Sequence, residues 1–286
     1  MEDPQFRILL QHLGLSWTGF RKVRKGVKKR ICRHMQRLNC PNMGEYLLEL
    51  DRNSKVRSEC ECLMTVSISL FFRDKGMWET LRKEILPGLL KTHVEKISIW
   101  SAGCASGEEV YSLKILWDTL IFPNTPSPEL SITATDMNPI YLKRARDGIY
   151  PLSSLKEVPE HFLSKYFKPE GEGKRYSLKA SLRNGISWQM HNLLSCIPES
   201  KFQIIFLRNN LLTYYEDEVK KSALKNLLTH LCTYYEDEVK KSALKNLLTH
   251  LCPSGFLIIG SHEKLPFETS QLRHYGAFSY IFKKQG

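Results

Sequence analysis

The sequence predicts an α/β protein: a largely parallel sheet flanked by helices and preceded by a smaller helical domain. Three observations carry that expectation. Lys96 to Thr119, KISIWSAGCASGEEVYSLKILWDT, passes from a β-prone run (Ile97, Ile99, Trp100) through a small-residue turn at Gly103 to Gly107. It then enters a stretch in which Val110, Leu113, Ile115, Leu116 and Leu120 recur at helical spacing. Phe202 to Leu207 is apolar at every position but Gln203, as expected of a parallel strand buried on both faces. Residues 1–90, in contrast, read as mostly helical.

In chain order, helices are expected at Phe6 to Leu13, through the basic stretch Arg21 to Leu38, at Met43 to Asp51, and at Met77 to Leu86, where Pro87 and Gly88 follow. From Pro4 to Gly44 there is no Asp or Glu, while Arg21, Lys22, Arg24, Lys25, Lys28, Lys29, Arg30, Arg33 and Arg37 crowd together. Like charges at i,i+4 repel by a few tenths of a kcal/mol per pair, so so many in one helix call for an acidic partner rather than a merely solvated face. The formal net charge of the chain is +12. After the glycine turn, LSITATDMN forms a second β run ending in Asp136. A helix to about Arg146 and another over Pro159 to Phe167 precede the polar, glycine-bearing patch KPEGEGKRYSLKASLRNGISW, with short β runs at Tyr176 to Leu178 and Ile186 to Met190. Gly255 to Gly260 and Phe278 to Phe282 are expected to be the last strands.

The chain has 286 residues, 42% of them hydrophobic, enough for one large domain or one domain plus a smaller one. Its longest apolar runs are far too short to cross a bilayer, and MEDPQFRILLQHLG has no basic segment followed by an apolar core, so a soluble, cytoplasmic protein is expected. Eight cysteines include no C-x-x-C pair, which points to free thiols rather than a zinc site or a secreted disulfide framework. Cys104 in the glycine turn is expected to be a packing residue, since no histidine lies near it in sequence to activate it.

A strand, glycine loop and helix form a site where backbone approaches a ligand closely and helix N–H groups face it. There is no G-x-x-x-x-G-K-[ST], and Glu108 and Glu109 stand where a phosphate would dock, which disfavours triphosphates and dinucleotides. A cationic adenosine ligand suits the loop better. Gly103 lets it approach, and Asp136, at the end of the second β run, is placed to accept the hydroxyls of a ribose. S-adenosylmethionine combines that ribose with a sulfonium and an ammonium. Phe202 to Leu207 delivers Arg208 and Asn209 to the same carboxyl edge, where ligands bind in open α/β sheets.

The phrases WSAGCASGEEVYS, ATDMNPIYLKRARDGIYPLSSL, FLRNNLLTYY and IIGSHEKLP, in this order and spacing, resemble the CheR-type protein-glutamate O-methyltransferases, from about Gln11 to the end apart from one insertion. TYY followed by SHEKLP marks a divergent branch. The resemblance implies a Rossmann-like class I S-adenosylmethionine-dependent methyltransferase domain over 91–286, with a small β-subdomain near 168–191, behind a helical domain over 1–90. It implies that TVSISLFFRDKGMWETL closes over the cofactor, with Ser67 and Ser69 where the family commonly has Asn and Thr, and with Arg73 retained. It further implies cofactor contacts from Asn192 and Leu193 at the adenine and from Arg208 and Asn209. Glu109 is the candidate for the cofactor's amino-acid end. Arg73 is the candidate catalytic residue, holding the carboxylate or the cofactor near the transfer line, and the basic segment 21–37 would face a helical, glutamate-bearing protein.

The implied reaction is direct displacement at the sulfonium methyl by a glutamate carboxylate, already ionised at pH 7 with a reference pKa of about 4.3. Alignment of the two reactants then carries much of the catalysis. A nucleic-acid methyltransferase is the first alternative, suggested by the basic segment, although Arg208-Asn209-Asn210 lacks the Asn/Asp-Pro-Pro-Tyr signature of exocyclic-amine methylation. A non-catalytic cofactor- or partner-binding module is the second.

Residues 213–232, TYYEDEVKKSALKNLLTHLC, recur unchanged as 233–252. Each copy has a Thr-x-x-Glu capping box and apolar residues at helical spacing. A parallel crossover needs one return from the carboxyl to the amino edge, so one copy is surplus. Val239, Ala243, Leu247 and Leu251 of the second copy have no evident core to enter.

Overall fold

A computed structural model describes residues 1–65, 69–92, 94–121, 127–191, 193, 200–209, 211–214, 251–265 and 270–285. The chain opens with five helices, α1 (Asp3–His12), α2 (Trp17–Phe20), α3 (Arg24–Arg37), α4 (Met43–Arg52) and α5 (Ser54–Met64), which share a core built on Phe6, Leu9, Phe20, Ile31, Tyr46 and Cys60. Helix α5 is absent from the sequence expectation. Its inward residues are Val56, Cys60 and Met64, an i,i+4,i+8 stripe too thin and too polar around its edges to read as an apolar face, and Asn53 caps it by accepting from Lys55 and Val56 N–H.

The second expectation to change lies at Pro87. Helix α6 (Lys75–Thr80) does not stop before it but continues through a π-helical turn, Leu81–Ile85, into α7 (Leu86–Leu90). Pro87 has no N–H and its ring crowds the carbonyl four residues back; the wider turn just before it absorbs both. Phe71, Phe72, Met77, Trp78, Leu81 and Leu89 pack in the core of the sheet rather than with the five helices, although the helical domain was expected to run to residue 90.

The remaining elements are β1 (Lys96–Ala102), α8 (Glu108–Leu120), β2 (Glu129–Asp136), α9 (Pro139–Asp147), β3 (Ile149–Pro151), α10 (Glu160–Tyr166), β4 (Phe167–Glu170), β5 (Arg175–Leu178), β6 (Ile186–Met190), β7 (Phe202–Leu207), α11 (Leu211–Tyr214), β8 (Leu251–Ile259), β9 (Leu272–Tyr275) and β10 (Phe278–Lys284). The main sheet has seven strands in the order β6-β2-β1-β7-β8-β10-β9; the first five are mutually parallel, and β10 pairs antiparallel with both β8 and β9. Register places Ile99 beside both Ile132 and Ile204, and Leu207 beside Ile259, so β1, β2, β7 and β8 all end at one edge. A separate three-stranded sheet runs β3-β5-β4. Ile186–Met190, expected in that small sheet, instead pairs in parallel with β2 at the edge of the main one. A short run of half-buried residues carries no mark of which sheet it joins.

Of the two repeats, residues 215–250 lie outside the described residues, and with them the fate of Val239, Ala243 and Leu247. Both ends are described. Thr213 and Tyr214 finish α11, where the Tyr214 ring lies 5.1 Å from that of Phe20. Leu251 and Cys252 begin β8, opposite Phe202, and Leu251 is fully buried, so the expectation that Leu251 has no core is overturned. Because the repeats are identical, removing 233–252 restores a Leu-Cys pair before Pro253 and keeps Thr213 and Tyr214. That deletion is expected to give a protein with a melting temperature at least as high and undiminished cofactor affinity; a substantially lower melt would make the second copy an integrated element.

Candidate functional site

The loop between β1 and α8 is bent by three residues of positive φ: Gly103 (82°), Ala105 (50°) and Gly107 (87°). Gly103 and Cys104 N–H both donate to the Thr135 carbonyl, at 2.8 and 2.9 Å, which pins the loop to the end of β2. A Cβ on Gly107 would sit 2.9 Å from Trp188 and 3.0 Å from Ala145, so close packing and backbone conformation both demand glycine there. Cys104 is 2% exposed, and burial pushes its thiol well up, as suits a packing residue.

Asp136 closes this loop. Its Oδ2 accepts the Ala105 N–H at 2.9 Å and its Oδ1 the Asn138 N–H at 2.8 Å. Burial raises the carboxyl's pKa, while the N–H groups of Asn138, Ala105 and Met137 pull the other way. A carboxylate offers about four acceptor directions, so these backbone bonds leave it able to accept from a ligand hydroxyl as well. Asn138 caps α9 through Ile140 N–H and donates from Nδ2 to Thr65 Oγ1 at 3.0 Å, so the end of α5 is joined to the Asp136 turn.

At the neighbouring strand ends, Arg208 lies between two carboxylates. Its Nη1 donates to Glu109 Oε2 at 2.8 Å and its Nη2 pairs with Asp74; Ser101 Oγ donates to the other Glu109 oxygen at 2.7 Å, and Ser261 Oγ lies 3.2 Å from Asp74. Left-handed backbone at Phe72 (φ 54°) and Asp74 (φ 66°) turns the segment that delivers Asp74. The Arg208 side chain is 5% exposed, and its buried Nε–H has no acceptor among the described residues. One guanidinium against two carboxylates leaves the cluster formally at −1.

Glu108 and Glu109, read together as a barrier to phosphate, part company. Glu109 faces the strand ends, whereas Glu108 is 4% exposed, hydrogen-bonded to Ser69, and its pKa is raised by burial. Leu193 is buried among Trp100, Leu207 and Ile259. Asn209 takes a left-handed conformation, φ 50°, directly after Arg208. The Arg73 carbonyl accepts Trp78 Nε1–H at 2.8 Å, and its guanidinium lies near enough to Tyr214 to act on it electrostatically. Ser67 and Asn192 lie outside the described residues. Gly103, Glu109, Asp136, Arg208 and Asn209 are thus gathered at one edge. Sequence reasoning missed Asp74 and Glu263. The available signals were an acid directly after Arg73 and another three residues after the strand-terminal Gly260.

These residues suit S-adenosylmethionine. Acceptors at Asp136 match a ribose, the net negative charge around Glu109 matches a ligand bearing a sulfonium and an ammonium, and the orphaned Arg208 Nε–H suits the ligand's carboxylate. Residues 67–233 match the family described as CheR methyltransferase, SAM binding domain. The chain is similar to a chemotaxis protein methyltransferase of Listeria innocua, with 31% identity over 76% of this chain and 79% of the relative. It is also similar to one of Pseudomonas aeruginosa, with 31% identity over 69% and 74%. A glycine loop closed by Asp136, an Arg-Asn pair at the end of the next strand and a family match spanning more than half the chain agree, and the chain belongs to the CheR-type S-adenosylmethionine-dependent methyltransferases, with their Rossmann-like fold.

Proposed function

We propose that the protein methylates glutamate side chains of a protein substrate, forming methyl esters, and that it does so in the cytoplasm. The single observation that carries this reading is the set of acceptors and charges gathered at the carboxyl edge, in a chain of this family. When bound, S-adenosylmethionine supplies an electrophilic methyl group on sulfur. Asp136 would hold its ribose, Glu109 its ammonium, Leu193 with Asn192 its adenine, and Ser67 and Ser69 would line the closing segment. Gly103 admits the ligand, and Arg208 and Asn209 complete the wall. Arg73 would hold the incoming carboxylate, which needs no general base because it is already ionised. Positioning is then the main task of the protein. None of the described helices is long and apolar enough to cross a membrane, and the six described cysteines are free thiols, which suits a reducing compartment.

The substrate would approach over α3. Of the nine cations at 21–37, Arg24 and Lys28 pair with Asp3, Arg37 pairs with Glu59, and Arg30 donates to the carbonyls of Leu63 and Thr65. Arg21, Lys22, Lys25, Lys29 and Arg33 are exposed and have no ion pair among the described residues. Lys25, Lys29 and Arg33 recur every four residues and form one stripe on the helix, complementary to an acidic helix. Reversing these three to Glu is expected to reduce protein methylation about ten-fold or more at low salt and to leave S-adenosylhomocysteine affinity unchanged, with the wild-type rate falling as salt rises. Label on the protein should be released by mild alkali, as esters are. Alkali-stable label would make the product a methylated amine and sink the glutamate reading, and equal methylation by the reversed variant would return the stripe to a solvated face.

A further inference from the structure

Glu263 stands in the turn after β8, its own N–H bonded to the Gly260 carbonyl at 2.9 Å. Its carboxylate folds back and is used three times. Oε2 accepts Gly260 N–H at 2.7 Å and Asn209 N–H at 3.0 Å, and Oε1 accepts the Thr213 hydroxyl at 2.5 Å. One side chain thereby ties the ends of two adjacent parallel strands to the first turn of α11. The space it fills is reserved for it: a Cβ on Gly260 would fall 2.7 Å from Glu263 Oε2 and 3.2 Å from Asn209 Oδ1.

Asn209 is a non-glycine residue in a left-handed conformation, and such backbone persists where its surroundings over-determine it. The Glu263 bond to its N–H supplies that constraint. Arg208, which holds Glu109 and Asp74, projects from the adjoining residue, so an error in the backbone at Asn209 displaces the guanidinium as well. The far side of the same turn meets the helical domain. Ser16 N–H donates to the Tyr214 carbonyl at 2.8 Å, and a Cβ on Gly19 would stand 2.2 Å from the Thr213 carbonyl oxygen. The segment on which the helical domain rests and the strand end that carries Arg208 and Asn209 therefore share one carboxylate.

We infer that Glu263 is a positioning residue for methyl transfer, fixing Asn209 and Arg208 at the cofactor edge and linking them to α11. This rests on the methyltransferase reading above, and the test separates the two. Asn209 and Gly260 amide exchange is measured in cofactor-free wild type, E263Q, E263A and E263D, alongside calorimetric binding of S-adenosylhomocysteine and the split between kcat and KM. Gln retains an oxygen that can accept both backbone N–H groups, whereas Asp keeps the charge but is one methylene too short to reach Asn209 and Thr213 together. The expected result is protected amides and affinity within about three-fold of wild type for E263Q, with faster exchange and affinity about ten-fold weaker or worse for E263A and E263D. The kcat should fall more than KM rises for the cofactor-saturated short variants. Wild-type exchange and affinity in E263D would overturn the inference even if E263A does not fold, and so would equal losses in E263Q and E263D, which would make charge or general stability the cause. A wild type that fails to bind S-adenosylhomocysteine would overturn the methyltransferase reading, while the exchange measurements would still decide whether Glu263 positions Asn209.

Discussion

Asp136→Ala is expected to weaken S-adenosylhomocysteine binding about 30-fold, a loss on the order of 2 kcal/mol for charge-assisted hydrogen bonding to a ribose. The same substitution should destabilise the cofactor-free protein, because it strands the N–H groups of Ala105 and Asn138 that the carboxylate now satisfies. Each stranded buried donor costs about 1–3 kcal/mol. The two effects separate by measurement: thermal melting without ligand reports the loop, and calorimetry on the folded fraction reports the ribose. Asp136→Asn keeps one acceptor oxygen and should fall between wild type and Ala in both. If D136A melts lower and binds as wild type does, Asp136 shapes the loop and does not contact the ligand.

Arg208→Ala should also lower stability. It leaves Glu109 and Asp74 without the cation between them, and removing one partner of a buried ion pair costs about 3–5 kcal/mol. The two carboxylates are 16% and 21% exposed, and water reaching them moderates the penalty toward the lower end. A loss of about 3 kcal/mol corresponds to a fall of about 6–12 °C in melting temperature for a chain of this size. Arg208→Lys keeps a charge but not the fork that reaches two acceptors, so it should recover part of the loss. The pairing itself is checked by a double-mutant cycle: adding Glu109→Gln to R208A should cost much less than it does in the wild-type background. Additive losses, or an R208A protein that melts with wild type, would show that the triad contributes nothing to stability.

Much of the fold is legible in the sequence. Ile97 to Trp100, the turn at Gly103 to Gly107 and the spacing from Val110 to Leu120 are local patterns, and β7 declared itself by being apolar at every position but Gln203. Helix α5 was not legible, because its inward face is Val56, Cys60 and Met64 among charged neighbours, a stripe whose burial depends on the helices that cover it. The turn at Leu81–Ile85 was not legible either. Pro87 reads locally as a stop, and packing of Leu81, Leu86 and Leu89 against the sheet outweighs it.

The same division runs through the site. Gly103, Glu109, Asp136, Arg208 and Asn209 could be named from the sequence because each stands at the end of a strand, in a glycine turn or in the first helical turn after it, and a parallel sheet brings such positions to one edge. Their partners could not. Asp74 and Arg208 are 134 residues apart, and Asn209 and Glu263 are 54 apart. The attachment of Ile186–Met190 to β2 and the burial of Leu251 are of the same kind. By itself the sequence determined which segments are helix or strand, where the glycine loop lies and what chemistry the strand ends carry, because periodicity and residue type act over a few neighbours. Only the tertiary structure decided which carboxylate satisfies which buried donor and which edge a short strand completes, because those choices are set by desolvation where distant segments close on one another.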